Sequence, residues 1–300
     1  MNLTETIKEN QPHLFKQSTY SARPPLKTLQ VSTLQNTSSH KTPKSARDPQ
    51  KVLEYSNQIL ENVLSQETKL LPPSDYISRQ PELNQKTRAV LVDWMVSVHR
   101  KFRLLPETLF MSVALVDRYL AVKAVTRKQV QLVGVTTLFL AAKYEEIYPP
   151  ELKEFVYLTD RAFSKEQVIT MERDILSALN FEVTMTSQWW YYAKFSEQLG
   201  LNKQSKCLGQ YLLELALVEY WMVKYPPVLQ AAAAVYLGTK LFKKDYSGLP
   251  SDIPVDSQEM KSCAKQMLIL MQYASKHPLS AVREKFAKPQ YDEVSMIRIS

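Results

Sequence analysis

The sequence predicts an all-α protein, with two similar helical domains behind a leading helix and a disordered head. Three observations carry this reading. Apolar residues recur at helical spacing through almost the whole chain after Pro49. No segment alternates apolar and polar residues between turn signals, as a half-buried strand would. A faint repeat links the halves: Ala114-Leu115-Val116-Asp117 matches Ala216-Leu217-Val218-Glu219 at an offset of 102, and Gln131 and Gln230, each opening an apolar helix, stand 99 apart. The boundaries that follow are a head over 1–47, a first domain with its leading helix over 48–182, and a second domain over 183–300.

Residues 1–47 are rich in Ser, Thr, Gln, Lys and Pro, and their apolar residues keep no period, so burial cannot offset their ordering entropy. From Pro49, Val52, Tyr55, Ile59 and Val63 describe a helix that must end before Pro72-Pro73. Further helices are expected over 84–102, 106–122, 126–146, 150–158 and 164–180. Pro106 fits the first turn of one, and Pro149-Pro150 closes another. Ser164 and Gln167 have the form of a capping box ahead of the stripe Val168, Met171, Ile175, Leu176 and Leu179. A second series begins near Thr186 and continues over 205–223, 226–243, 256–275 and 278–287.

A chain of 300 residues that is 45% hydrophobic can bury two sizeable cores. It holds no uncharged apolar run long enough for a bilayer and opens on no signal-peptide pattern, so neither membrane insertion nor standard secretion is expected. Net charge is +8, but residues 1–47 hold seven bases and two acids, which leaves only +3 for the remainder. That is little support for a nucleic-acid surface. Five glycines, at 134, 200, 209, 238 and 248, cannot build a phosphate loop. His13, His40, His99 and His277 have no ligand spacing, Cys207 and Cys263 read as buried thiols, and no nucleophile elbow occurs. An enzyme, a metal site and a cofactor are therefore not expected.

The informative residues are charges on apolar stripes. Arg88 extends the stripe Val92, Met95, Val96, His99, and Asp117 lies among Phe110, Val113, Ala114 and Leu120. Lone buried charges are costly, so an Arg88–Asp117 pair between helices is expected. Lys143 continues Thr136, Phe139 and Leu140, while Glu172 interrupts the stripe of the 164–180 helix. These two either pair with each other or face a partner's backbone groups. The 84–102 helix is also apolar on a second side, at Val90, Leu91 and Trp94; this face is either central or a docking patch.

Two segments resemble the cyclin box of B-type (mitotic) cyclins: Arg88 to His99, reading RAVLVDWMVSVH, and Leu138 to Pro150, reading LFLAAKYEEIYPP. Asn180-Phe181-Glu182 and the run from Tyr211 through Tyr225-Pro226-Pro227 lean towards the B type. The similarity covers about 49–298. It implies two five-helix cyclin folds with the leading helix beside the first, and a regulatory subunit that activates a cyclin-dependent kinase. By the same resemblance the kinase would meet Lys143 and Glu172, flanked by Tyr144, Leu176, Phe181 and Val183. Substrates with docking motifs would meet Val90, Leu91, Trp94 and Gln131. Thr87 and Ser97 depart from the usual apolar and acidic residues at that patch, which implies weaker recognition of basic-leucine peptides.

In the head, Lys8-Glu9-Asn10 resembles a degron read by the anaphase-promoting ubiquitin ligase, and Arg23-Pro24-Pro25-Leu26 resembles the first half of a destruction box. Residence in nucleus and cytoplasm is the accompanying expectation.

Overall fold

The computed structural model describes residues 55–242 and 255–297; the head, with Lys8, Glu9 and Asn10, lies outside them. The described residues form a leading helix, α1 (Ser56–Leu70), and two units of five α-helices. The first unit holds α2 (Gln85–Phe102), α3 (Pro106–Val122), α4 (Val130–Glu145), α5 (Leu152–Leu158) and α6 (Lys165–Ala178). The second holds α7 (Gln188–Gln198), α8 (Lys203–Val218), α9 (Pro227–Lys240), α10 (Ser257–Tyr273) and α11 (Ala281–Phe286). No strand occurs among the described residues.

Local chemistry sets the ends. Asn84 caps α2 by accepting from the Thr87 amide at 2.9 Å, and Asp256 accepts from the Gln258 and Glu259 amides at the start of α10. The expected capping box closes α6: Ser164 Oγ accepts from Gln167 N, and Gln167 Oε1 accepts from Ser164 N. Most expected spans lose a residue or more at their ends, and two lose five. The 126–146 helix starts only at Val130, because Thr126 to Gln129 form a turn tied by the Gln129 side chain. The 205–223 helix stops at Val218 and yields to a 3₁₀ turn, Tyr220–Lys224.

Each unit is built round one helix that is buried on every side. In α4 nearly every residue from Val130 to Ala142 is buried, and in α9 the same holds from Pro227 to Thr239. Leu91 of α2 fills the space beside Gly134, where an added Cβ would come within 2.7 Å of Leu91 Cδ1. Leu91 is 1% exposed and Val90 is also buried, so two members of the expected docking face belong to the core. Close packing of α2 on α4 is the reason.

Arg88 and Asp117 pair as expected, and the pair does more than join α2 to α3. Arg88 Nη2 and Nε each lie 2.7 Å from an Asp117 carboxylate oxygen, and the Tyr76 hydroxyl donates to Asp117 at 2.6 Å. Burial is the largest single influence and opposes the Arg88 charge, but Asp117 and Tyr76 together outweigh it and raise the guanidinium pKa. Arg88 Nη1 also donates to Leu217 O at 2.9 Å and Val218 O at 3.3 Å, the last carbonyls of α8 in the second unit. One turn and a half further along α2, Asp93 accepts from the Ala281 amide at the start of α11. A cation thus meets the negative end of one helix and a carboxylate the positive end of another. Tyr220 completes the junction, donating to Ser74 O and accepting from Ile77 N.

The leading helix departs from expectation. Rather than lying beside the first unit, α1 is tied to the second: Lys194 of α7 donates to Ser56, and Glu67 accepts from the Val228 amide at 2.9 Å. The first turn of α9 has amides without intrahelical partners, and the buried Glu67 carboxylate satisfies one of them. A second buried pair, Lys285 with Glu214 at 2.6 Å, joins α11 to α8 with both side chains almost wholly enclosed. The sequence reading did not assign it, although Glu214 interrupts an apolar stripe just as Asp117 does.

Breaking one side of the Arg88 site should therefore cost more than removing both. Asp117→Leu alone is expected to destabilise by about 3 to 5 kcal/mol, and Arg88→Met with Asp117→Leu by less. Urea unfolding followed by circular dichroism measures both; strictly additive losses would contradict a coupled pair.

Candidate functional site: an apolar surface around Lys143 and Glu172

Lys143 occupies the last turn of α4, and Glu172 the middle of α6. Their side chains form an ion pair, with Lys143 44% and Glu172 14% exposed, and the Lys143 ammonium also sits 4.7 Å from the Phe139 ring centre. Lys143 does not point into the core as its stripe suggested. The helix ends two residues later, so its stem lies over Phe139 and its charge reaches solvent.

Around this pair lies apolar surface that the chain does not cover. Tyr144 is half exposed, its hydroxyl 2.7 Å from Thr184 Oγ1. Ile147 is 86% exposed and Tyr148 nearly as much, while Leu176 and Val183 are half-buried at the edge. Phe181 is 68% exposed. It follows α6 in a turn in which Asn180 and Phe181 both have positive φ, 50° and 58°. Asn tolerates the left-handed region, but an aromatic side chain pays about 1 to 2 kcal/mol there. The strain presents an aromatic ring to water, which no folding force requires.

Ile147 and Tyr148 were not singled out from the sequence, although the signal was present. Apolar residues caught between a helix end and Pro149-Pro150 have no helix face on which to bury. Glu146 was missed too. Its carboxylate accepts from Leu105 N at 2.7 Å and Thr108 Oγ1 at 2.6 Å, so it caps α3, whose own N-cap residue is Leu105. That bond fixes the exit of α4 and hence where Ile147 and Tyr148 stand.

The remaining expected residues fall elsewhere. Trp94 and Gln131, on the adjoining α2 and α4, are half-buried and keep some surface, whereas Val90 and Leu91 keep almost none. Cys207 and Cys263 are free and buried, and burial pushes the Cys263 thiol up to about 12. No group of three or more metal-ligating side chains and no helix long and apolar enough to cross a membrane occurs among the described residues.

Residues 58–184 match the family described as the cyclin N-terminal domain, and residues 186–300 the cyclin C-terminal domain. The chain belongs to the cyclin family. It is 38% identical over 260 residues to a G2/mitotic-specific cyclin-B of Dictyostelium discoideum, covering 85% of this chain and 59% of the relative. Against a G2/mitotic-specific cyclin-A of Patella vulgata it is 35% identical over 249 residues, covering 82% of this chain and 58% of the relative. This cyclin therefore spans under two thirds of the length of those relatives. Among solved structures it is similar to a viral cyclin from Herpesvirus saimiri, with a TM-score of 0.58, 19% identity, and coverage of 79% and 97% of the two chains. That similarity extends to the fold.

The turn after α6 generates a test. Phe181→Gly should leave stability unchanged or raise it by about 1 kcal/mol, because glycine accepts the positive φ without strain. If the exposed ring serves a partner and not the fold, the same substitution should weaken binding of that partner. Thermal melting and a binding assay together check it; a clear loss of stability would mean the ring serves the fold.

Proposed function

We propose that this cyclin binds a cyclin-dependent protein kinase through the surface around Lys143 and Glu172 and switches the kinase on, acting in mitotic cell-cycle control. The observation that carries the proposal is the uncovered apolar surface of Tyr144, Ile147, Tyr148 and Phe181 beside a charged pair. A surface of this kind suits an amphipathic helix of a partner, with apolar anchors at its centre and charges for register.

The activation is allosteric. A protein kinase is inactive while a glutamate on its mobile helix stays out of reach of the strand lysine that holds the ATP phosphates. A cyclin packed on that helix favours the conformer in which the two meet. Moving such an equilibrium from mostly inactive to mostly active takes about 5.5 kcal/mol of differential affinity. Burial of exposed tyrosine, isoleucine and phenylalanine side chains, at about 1.5 to 3 kcal/mol each, is of the right size. Substrate recruitment is the second part of the reading. It rests on Trp94 and Gln131, since Val90 and Leu91 are core residues here.

The experiment is co-purification with a cyclin-dependent kinase followed by a kinase assay. Lys143→Glu is expected to abolish binding and activation while circular dichroism shows unchanged helicity. Loss of helicity along with binding would instead mark the pair as architectural. In the same assay Trp94→Ala should lower phosphorylation only of substrates with a basic-leucine motif; an equal loss on a short peptide that fills only the kinase cleft would remove the docking reading.

A further inference from the structure

On the face formed by the end of α2 and the segment after α11 lies a cleft of about 440 Å³ whose charged lining is entirely basic. Arg100 and Arg103 come from the first unit, and Lys285 and Lys288 from the second; His99 forms the floor and Tyr291 one wall. Two of these cations are already compensated. Arg100 pairs with Glu284 at 3.6 Å, and Lys285 with Glu214 at 2.6 Å. Arg103 and Lys288 form no ion pair among the described residues and are exposed. The cleft thus carries about two uncompensated positive charges, which is the charge of one phosphate monoester at neutral pH, about −1.5 to −2.

A buried histidine beneath the cleft supplies a reporter for it. His99 is 3% exposed, and its Nε2–H donates to Leu105 O at 2.9 Å, which leaves Nδ1 buried with no partner. An unpartnered buried polar atom is expensive and calls for an explanation. Burial, followed by the nearby charge of Lys285, pushes the imidazole pKa down to about 3. An anion beside Lys285 would offset the second of these influences, so the His99 ring should sense an occupied cleft.

An arginine stands here where the backbone would favour a glycine. Arg103 is the residue at which α2 ends in the left-handed conformation, φ 55°, a position that ordinarily goes to glycine or asparagine. The Arg103 amide donates back to Arg100 O, which fixes where its side chain leaves the helix.

We propose that this cleft binds a single phosphorylated serine or threonine side chain presented on a peptide. One phosphate matches two free cations, whereas a polyanion would need a longer basic track, and the chain after residue 47 holds only +3 in total. The choice of a phosphopeptide rests on the kinase-subunit reading, because a kinase subunit works among phosphorylated chains. The cleft itself does not depend on that reading.

The test uses the full chain with a fluorescein-labelled polyalanine peptide carrying one central phosphothreonine. Its affinity should exceed that of the threonine peptide by about tenfold or more, and Arg103→Glu with Lys288→Glu should remove that margin. Both residues are exposed, so the double variant should keep wild-type helicity and kinase co-purification. With ¹⁵N-histidine labelling, the His99 ring resonance should move on adding the phosphopeptide while that of His277 stays. Equal affinity for the two peptides, or unchanged binding by the double variant, overturns the proposal. So does preference for phosphoinositide vesicles over the phosphopeptide, which would assign the cleft to a membrane. A wild-type chain that binds the phosphopeptide but no kinase would remove the proposed function and leave the site standing.

Discussion

Arg88 stands where both halves of the chain meet, with its guanidinium donating at once to Asp117 of α3 and to the last carbonyls of α8. A lone buried arginine would be prohibitively costly, so the chain must bring carboxylate and carbonyls together or not fold in this arrangement. That requirement fixes the docking of α2 on α3 and of the first unit on the second. Asp93 and Tyr220 repeat the logic close by, each satisfying backbone groups that belong to the other half. Glu67 extends it to α1, whose carboxylate caps α9. The two units are held by polar groups that cannot be left unpaired, over cores that are apolar and close-packed.

This framework sets where the candidate surface stands. Glu146 ties the exit of α4 to the start of α3, and α4 is held on every side, so Lys143, Tyr144, Ile147 and Tyr148 project from a fixed base. On the other flank, Phe181 is set by the left-handed turn that ends α6, where its amide donates to Leu176 O at 2.8 Å. An interface made of pre-ordered side chains loses less entropy on binding than a mobile one. In the proposed role, such a surface would present a shape to a partner helix instead of adapting to it.

Much of this was legible in the sequence because it follows from period and punctuation. Helical spacing gave the all-α class, prolines and the Ser164 capping box gave several ends, and charges on apolar stripes gave the Arg88–Asp117 pair. What escaped depends on packing between segments far apart in the chain. Nothing near Leu91 reveals that Gly134 makes room for it, so a core residue read as one face of a docking patch. Nothing near Glu67 announces an unpaired amide at Val228, so α1 was expected beside the first unit and not the second. The pairing of Lys143 with Glu172 was one of two alternatives from the stripes alone, and its geometry, with Lys143 at the rim, is compatible with both an architectural and a partner-facing role. Glu214 could have been found by the argument used for Asp117; the Arg88 bonds to α8 could not, because backbone acceptors leave no mark in composition.

The account stands on the claim that the surface around Lys143 and Glu172 is where a kinase docks. Hydrogen–deuterium exchange of the chain, alone and bound to a cyclin-dependent kinase, measures this most directly, since burial slows amide exchange where contact is made. The account predicts new protection in peptides covering 143–149 and 176–184, with little change across α8 to α11. Protection confined to the second unit, with 143–149 and 176–184 exchanging as in the free chain, would contradict it.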